Sequence, residues 1–176
     1  MLNIYEECLR CRKCEISNHI TNKVFGTGNT KAKVILIGEA PGANEDKQGK
    51  PFVGRAGKLL NSFLQLAGLN REDVYITNII KCRPPGNRNP NREEIENCIG
   101  FLKKEIEIIN PEIIVTLGSV ASRTLIKPDL LITKERGKFF KIKDYLIMPT
   151  FHPAAVLRDP RRKELMEKDF LKIAKL

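Results

Sequence analysis

The sequence predicts an α/β protein, a three-layer α/β/α sandwich around a central, mainly parallel four-stranded sheet. Three observations predict it. Short apolar runs unbroken by polar positions recur along the chain, which is the pattern of strands buried on both faces. Between them lie segments with apolar residues at three- and four-residue spacing, the period of an amphipathic helix. Such alternation, over a chain of 176 residues that is 41% hydrophobic, suits one doubly covered sheet with a core that needs no disulfides. A single domain, 1–176, is expected.

The elements follow in order. Residues 3–13 read as a short helix running into the first cysteines. Lys33-Val34-Ile35-Leu36-Ile37-Gly38 is a buried strand ending in glycine. Residues 39–54, rich in Gly, Pro and charge, read as a loop. Leu59, Leu60, Phe63, Leu64 and Ala67 mark a helix over 55–67, with Gly68 as its stop. Val74-Tyr75-Ile76-Thr77 is a second strand, followed by a polar, proline-rich loop from Lys81 to Pro90. Asn91 has the chemistry of an N-cap, with Glu93 and Glu94 in the first turn where carboxylates favour the helix dipole; that helix runs to about Ile109. Ile113-Ile114-Val115-Thr116-Leu117 is a third strand, ending in Gly118, and a short helix covers 119–126. Phe139–Ile142 and Leu146–Pro149 read as a hairpin feeding a loop at Phe151-His152-Pro153, and a last helix covers 161–174.

The formal net charge is +10, from 31 basic and 21 acidic residues. That balance fits a polyanionic partner, nucleic acid first, with an ordinary lysine-rich surface as the alternative. Glu6, Glu7 and Cys8 interrupt any signal-peptide core, and no apolar run approaches the roughly 20 residues of a membrane span. A cytoplasmic protein without membrane contact is expected. Abundant Ile, Lys and Glu with no Trp lean toward a thermophilic source.

Five cysteines, Cys8, Cys11, Cys14, Cys82 and Cys98, are an odd number and argue against a disulfide framework. Cys11-x2-Cys14 and Cys82-x15-Cys98 offer four thiolates, which suit zinc or an iron–sulfur cluster and do not separate the two. Unrelated buried thiols are the plain alternative. Cys8 stays unassigned.

In parallel sheets, sites gather beyond the carboxyl ends of strands. Three distinctive segments sit there: the loops after Ile37, Thr77 and Met148. The first carries Glu39, Glu45, Asp46 and the stacking face of Phe52. The second begins at Asn78, whose amide donates and accepts together, as needed to read a nucleobase edge, or else forms a turn. The third carries His152, at a strand end beside a rigid proline turn; a lone histidine is otherwise more often structural.

Gly38-Glu39-Ala40-Pro41-Gly42, Pro51-Phe52-Val53-Gly54, Thr77-Asn78-Ile79, Lys81-Cys82-Arg83-Pro84-Pro85 and His152-Pro153-Ala154 occur in this order, with Cys11, Cys14, Cys82 and Cys98. Together they resemble the family 4 uracil-DNA glycosylases, the thermostable iron–sulfur type, over nearly the whole chain. The resemblance implies a uracil-DNA glycosylase-like fold and an enzyme of base excision repair. It would flip uracil out of single- or double-stranded DNA and hydrolyse the N-glycosidic bond, acting as a monomer and leaving an abasic site. It implies one structural [4Fe–4S] cluster on Cys11, Cys14, Cys82 and Cys98. Phe52 would stack on the base, Asn78 would accept from N3–H and donate to O4, and His152 would donate to O2 as charge gathers there.

The classical relatives place an aspartate where Ala40 stands and a bulky tyrosine where Gly42 stands. Glu39, then Glu45, become the candidates for positioning water, and exclusion of the thymine methyl falls to Glu45 or the loop backbone. Lys81, Arg83, Asn87, Arg88, Ser119 and Arg158 are the expected DNA contacts. Leu157 is the expected wedge filling the gap left by the base, with burial in the core as its alternative. A glycosylase for another deaminated base, a zinc-bound nucleic-acid module and an iron–sulfur electron carrier are the rival readings.

Overall fold

The computed structural model describes residues 1–175. A six-stranded sheet runs through its middle: β1 (Thr27–Gly28), β2 (Val34–Gly38), β3 (Tyr75–Asn78), β4 (Ile113–Leu117), β5 (Phe140–Ile142) and β6 (Tyr145–Thr150), in the spatial order β1-β3-β2-β4-β6-β5. The inner four strands are mutually parallel. The expected four-stranded parallel sheet is therefore the centre of the real one, extended at each edge by a short antiparallel strand.

Eight helices accompany the strands among the described residues: α1 (Leu2–Arg10), α2 (Ala43–Gln48), α3 (Arg55–Leu66), α4 (Arg92–Ile109), α5 (Ser119–Leu125), α6 (Ile132–Glu135), α7 (Pro153–Arg158) and α8 (Lys163–Ile173). Helix α2 corrects the expectation of loop throughout 39–54. Its six residues, Ala-Asn-Glu-Asp-Lys-Gln, show no apolar periodicity. It is held instead by polar contacts: the Asp46 carboxylate accepts from the Thr21 and Asn22 amides.

Side-chain alternation along β2 divides the core. Val34 and Leu36 face one layer, with Leu60 and Phe63 of α3, Val115, Met148 and Phe170 of α8. Ile35 and Ile37 face the other, with Leu102 and Ile106 of α4, Ile114, Ala121 of α5 and Ile147. This period of two is what a strand buried on both faces requires. In a smaller cluster, Ile4 and Cys8 on the buried face of α1 pack with Phe25. Asn91 caps α4 as expected: its side chain accepts from the Glu94 N–H while Glu94 accepts from the Asn91 N–H.

The register sets the site. Gly38 is paired with Asn78 across β2 and β3, and Leu117 with Thr150 across β4 and β6. The carboxyl ends of the four parallel strands thus lie along one edge of the sheet, and the loops that follow open from it.

Candidate active site

A pocket of about 530 Å³ opens at that edge. Glu39, Ala40, Gly42, Glu45 and Phe52 come to it from the segment after β2, Asn78 from the end of β3, Ser119 from α5, and His152 and Arg158 from the segment after β6. Asn87 and Arg88 reach its rim from the loop before α4.

Phe52 forms one wall. Its ring centroid lies 5.5 Å from that of His152, with the planes 29° apart. The residue has φ 51°, a left-handed conformation seldom adopted by a bulky side chain. Its ring passes over the backbone of Gly38, where a β-carbon would come within 2.7 Å of Phe52 Cζ and overlap Asn78 Oδ1. Glycine at 38 is what lets the two side chains close over that strand end.

Asn78 is buried, and its Oδ1 has no hydrogen-bond partner in the chain. Buried polar atoms are almost always paired, so an unpaired acceptor in a pocket wall is suited to receive a donor from a ligand.

His152 caps α7. Its Nδ1 accepts from the Ala154 N–H at 3.1 Å, which leaves the proton of the neutral ring on Nε2. Burial, reinforced by the nearby Arg158 charge, pushes its pKa down to about 4. The imidazole is therefore neutral at physiological pH, with a fixed N–H donor. The histidine turn, expected to be loop after residue 150, is in fact the start of a helix with proline at its first position.

The two carboxylates differ. Glu45 is fully engaged: Oε2 accepts from the Gly42 N–H at 3.2 Å, and Oε1 from the Val53 and Gly54 N–H groups at 2.9 and 3.0 Å. A β-carbon on Gly42 would stand 2.7 Å from Glu45 Oε2, so Glu45 occupies the space beside that glycine. Glu39 lines the same pocket; burial raises its pKa above the usual carboxylate range, and Arg158 opposes the shift.

Lys81 corrects a sequence expectation. It is not a phosphate contact, because its side chain is 1% exposed. The ammonium donates to Thr77 Oγ1 (2.6 Å), the Asn78 carbonyl (2.9 Å) and Glu105 Oε2 (2.5 Å). Glu105 also accepts from Tyr75 Oη at 2.9 Å. A lysine buried this deeply needs a paired carboxylate and its remaining donors filled; α4 supplies the carboxylate through Glu105, and the end of β3 supplies the other acceptors through Thr77 and Asn78. Arg83 is half-buried and donates to Asn87 Oδ1. Arg88 is clamped by both oxygens of Glu94 at 2.9 and 2.6 Å. Arg158 and Leu157 are exposed, Leu157 at 39%. Arg162, unmarked in the sequence, also lines the pocket, with its guanidinium 5.0 Å from the centroid of the Phe151 ring. No sequence motif flags it; only the turn at Pro160–Arg162 brings it there.

The cysteines lie on the α4 side of the sheet. All five are free. Cys14, Cys82 and Cys98 share one apolar cluster with Ile16 and Ile80. Burial pushes the Cys82 thiol up to about 12, and Cys98, Cys11 and Cys14 all lie within electrostatic reach of it. Thiols from the N-terminal segment, the loop after β3 and α4 thus meet in one cluster at Cys14, Cys82 and Cys98, with Cys11 nearby. As soft thiol donors they have the chemistry of a sulfur-ligated metal or cluster site; among the described residues no three His, Cys, Asp or Glu side chains converge on a single metal position. Cys8 is on the buried face of α1, packed with Ile4 and Phe25.

The family model of the uracil DNA glycosylase superfamily matches residues 25–175. The chain is 46% identical to a type-4 uracil-DNA glycosylase of Sulfurisphaera tokodaii, over 98% of this chain and 83% of the relative. It is 46% identical to the type-4 enzyme of Archaeoglobus fulgidus, over 99% of this chain and 92% of the relative. With the type-4 enzyme of Saccharolobus solfataricus the figures are 47%, 97% and 83%.

Proposed function

Because the chain belongs to the uracil-DNA glycosylase superfamily, among its type-4 members, we propose that its pocket extracts and releases uracil through three groups: Phe52, Asn78 and His152. The protein is a uracil-DNA glycosylase, a hydrolase of base excision repair. No helix among the described residues is long and apolar enough to cross a membrane.

The observation that carries the proposal is the unpartnered Oδ1 of Asn78. A base inside a duplex is out of reach, so the nucleotide rotates into the pocket. The uracil ring stacks on Phe52, a contact worth about 1–3 kcal/mol. Uracil N3–H then donates to Asn78 Oδ1, and the amide NH2 donates to O4. Cytosine reverses this pattern and leaves buried groups unpaired, which discriminates by roughly 10⁴ or more. Glu45, fixed by three backbone N–H groups, walls off the space at Gly42 where a thymine methyl would go.

As the glycosidic bond breaks, electrons move onto uracil and charge gathers at O2. The Nε2–H of neutral His152 donates there, held in place because Nδ1 is tied to the Ala154 N–H. Such preorganised donors strengthen as charge develops and so lower the barrier. The deoxyribose becomes cation-like at C1′. Glu39, as a carboxylate, stabilises that charge and orients the water that attacks C1′; the water's second proton passes to solvent. No lysine lines the pocket among the described residues, so no amine nucleophile is at hand to cut the strand, and the product is an abasic site. Arg158 and Ser119, with Asn87 and Arg88 at the rim and Arg83 bonded to Asn87, take the phosphates, and exposed Leu157 fills the gap left in the stack.

We assign a [4Fe–4S] cluster to Cys11, Cys14, Cys82 and Cys98. When bound it supplies a four-point cross-link, since hydrolysis of this bond moves no electrons. It ties the N-terminal segment to the loop leading from Asn78 and to α4. Cys8 takes no part: Cys8→Ala should keep the brown colour and iron content, whereas Cys82→Ala should lose both.

Uracil release from single-stranded and duplex DNA by wild type and His152→Ala tests the function. Loss of at least 10²-fold is expected, the scale of one oxyanion-type donor; equal rates would reject His152 as the donor.

A further inference from the structure

Phe52 occupies a backbone conformation that its side chain does not favour, so something outside the loop must hold it. We infer that Arg71 is the positioning residue that fixes the Phe52 ring against the base, an inference that rests on the stacking role assigned to Phe52 above.

Arg71 lies in the connection between α3 and β3, far from every motif of the sequence. Its guanidinium donates to the carbonyl oxygens of two consecutive loop residues, Phe52 at 3.0 Å and Pro51. A further donor bond goes to Asn61 Oδ1 of α3 at 3.2 Å. Among the described residues no carboxylate lies within ion-pair distance of it. A half-buried guanidinium committed to backbone carbonyls and to no ion pair is an arrangement for holding geometry.

The grip is two-sided. Phe52 C=O and Val53 N–H belong to one peptide group. Arg71 holds its oxygen and Glu45 holds its nitrogen, at 2.9 Å. A cation and an anion thus clamp the two ends of the peptide that sets the direction of the ring. Gly57 completes the seat: any β-carbon there would overlap the Phe52 carbonyl. Strained conformations persist only where the surroundings over-determine them, and they gather at functional sites.

The test is a double-mutant cycle in single-turnover uracil release. It compares wild type, Phe52→Ala, Arg71→Gln and the double variant, each shown by thermal melting to be folded at the assay temperature. Arg71→Gln alone should slow release about 10- to 100-fold, the range of one base–aromatic stack. In the Phe52→Ala background it should cost less than about threefold, because the ring it positions is already gone. Inhibition by free uracil, which reads the stack without chemistry, should weaken in step. Equal factors in both backgrounds would overturn the assignment of Arg71 while leaving the stack standing. A wild-type rate for Phe52→Ala would overturn the stack and the inference with it. Should Arg71→Gln fail to fold, Arg71→Lys, which keeps the charge but not the paired donors, enters the same cycle under the same criteria.

Discussion

The rings of Phe52 and His152 stand 5.5 Å apart, nearly parallel, although 99 residues of chain lie between them. The sheet makes this meeting possible: β2 and β6 flank β4, and all three strands end at the same edge. On the proposed mechanism, a flipped base entering there meets an aromatic face, an amide and a neutral imidazole together.

The state of His152 fixes the pH dependence. Its pKa is depressed to about 4, so the ring stays neutral well below the 6.5 of a free histidine. His152 should therefore contribute no inflection near 6.5 to the single-turnover rate. As pH falls, Glu39 takes up its proton from a raised pKa, which gives an acid limb, and His152 loses its Nδ1 acceptor toward pH 4. Glu39→Gln should slow the reaction and remove its share of that limb with modest loss of binding. The same shift acts on folding. The unfolded chain binds the His152 proton at a higher pH than the folded one, so this residue lowers stability as pH falls from 6.5 toward 4. A break near 6.5 that persists in Glu39→Gln would contradict the neutral donor.

Asn78→Asp tests the reading of the base. A carboxylate can accept but not donate, so the bond to O4 is lost and like-charged oxygens face each other. Uracil release should fall by at least about 10³-fold, and the preference for uracil over cytosine should shrink. Retained activity on uracil would remove the amide from the mechanism.

Lys81 and Arg158, equal candidates for phosphate in the sequence, should now separate. Lys81→Met strips the buried Glu105 carboxylate of its partner and should destabilise by about 3–5 kcal/mol, seen as a lower Tm. Its salt dependence of DNA binding should match wild type. Arg158→Ala should leave Tm close to wild type and reduce the slope of log K against log salt by about one phosphate contact. Exchange of these two outcomes would show that the burial of Lys81 misrepresents its role.

How far this was legible in the sequence depends on where each signal lies. Strands β2 and β4 were plain because both faces are buried and apolar runs leave no doubt about the period. Helix α4 was plain because Asn91 and Glu94 write its start in four residues. Helix α2 was missed because its stability comes from Asp46 bonding the amides of Thr21 and Asn22, a contact the local sequence does not encode. Lys81 was misread for the same reason: a lysine in a polar loop reads as solvated until α4 brings Glu105 beneath it. Phe52, Asn78 and His152 stood out because each belongs to a short motif in a segment that follows a strand. Arg71 did not, since its function is to hold two carbonyls and carbonyls have no residue signature.

The most direct measurement is a crystal structure of the protein with uracil bound in the pocket, alone or beside abasic DNA. The ring should lie on Phe52, with N3–H on Asn78 Oδ1 and O2 facing His152 Nε2. Uracil held elsewhere, or held here with the Asn78 oxygen still without a partner, would contradict the convergence of three strand-end loops on one extruded base.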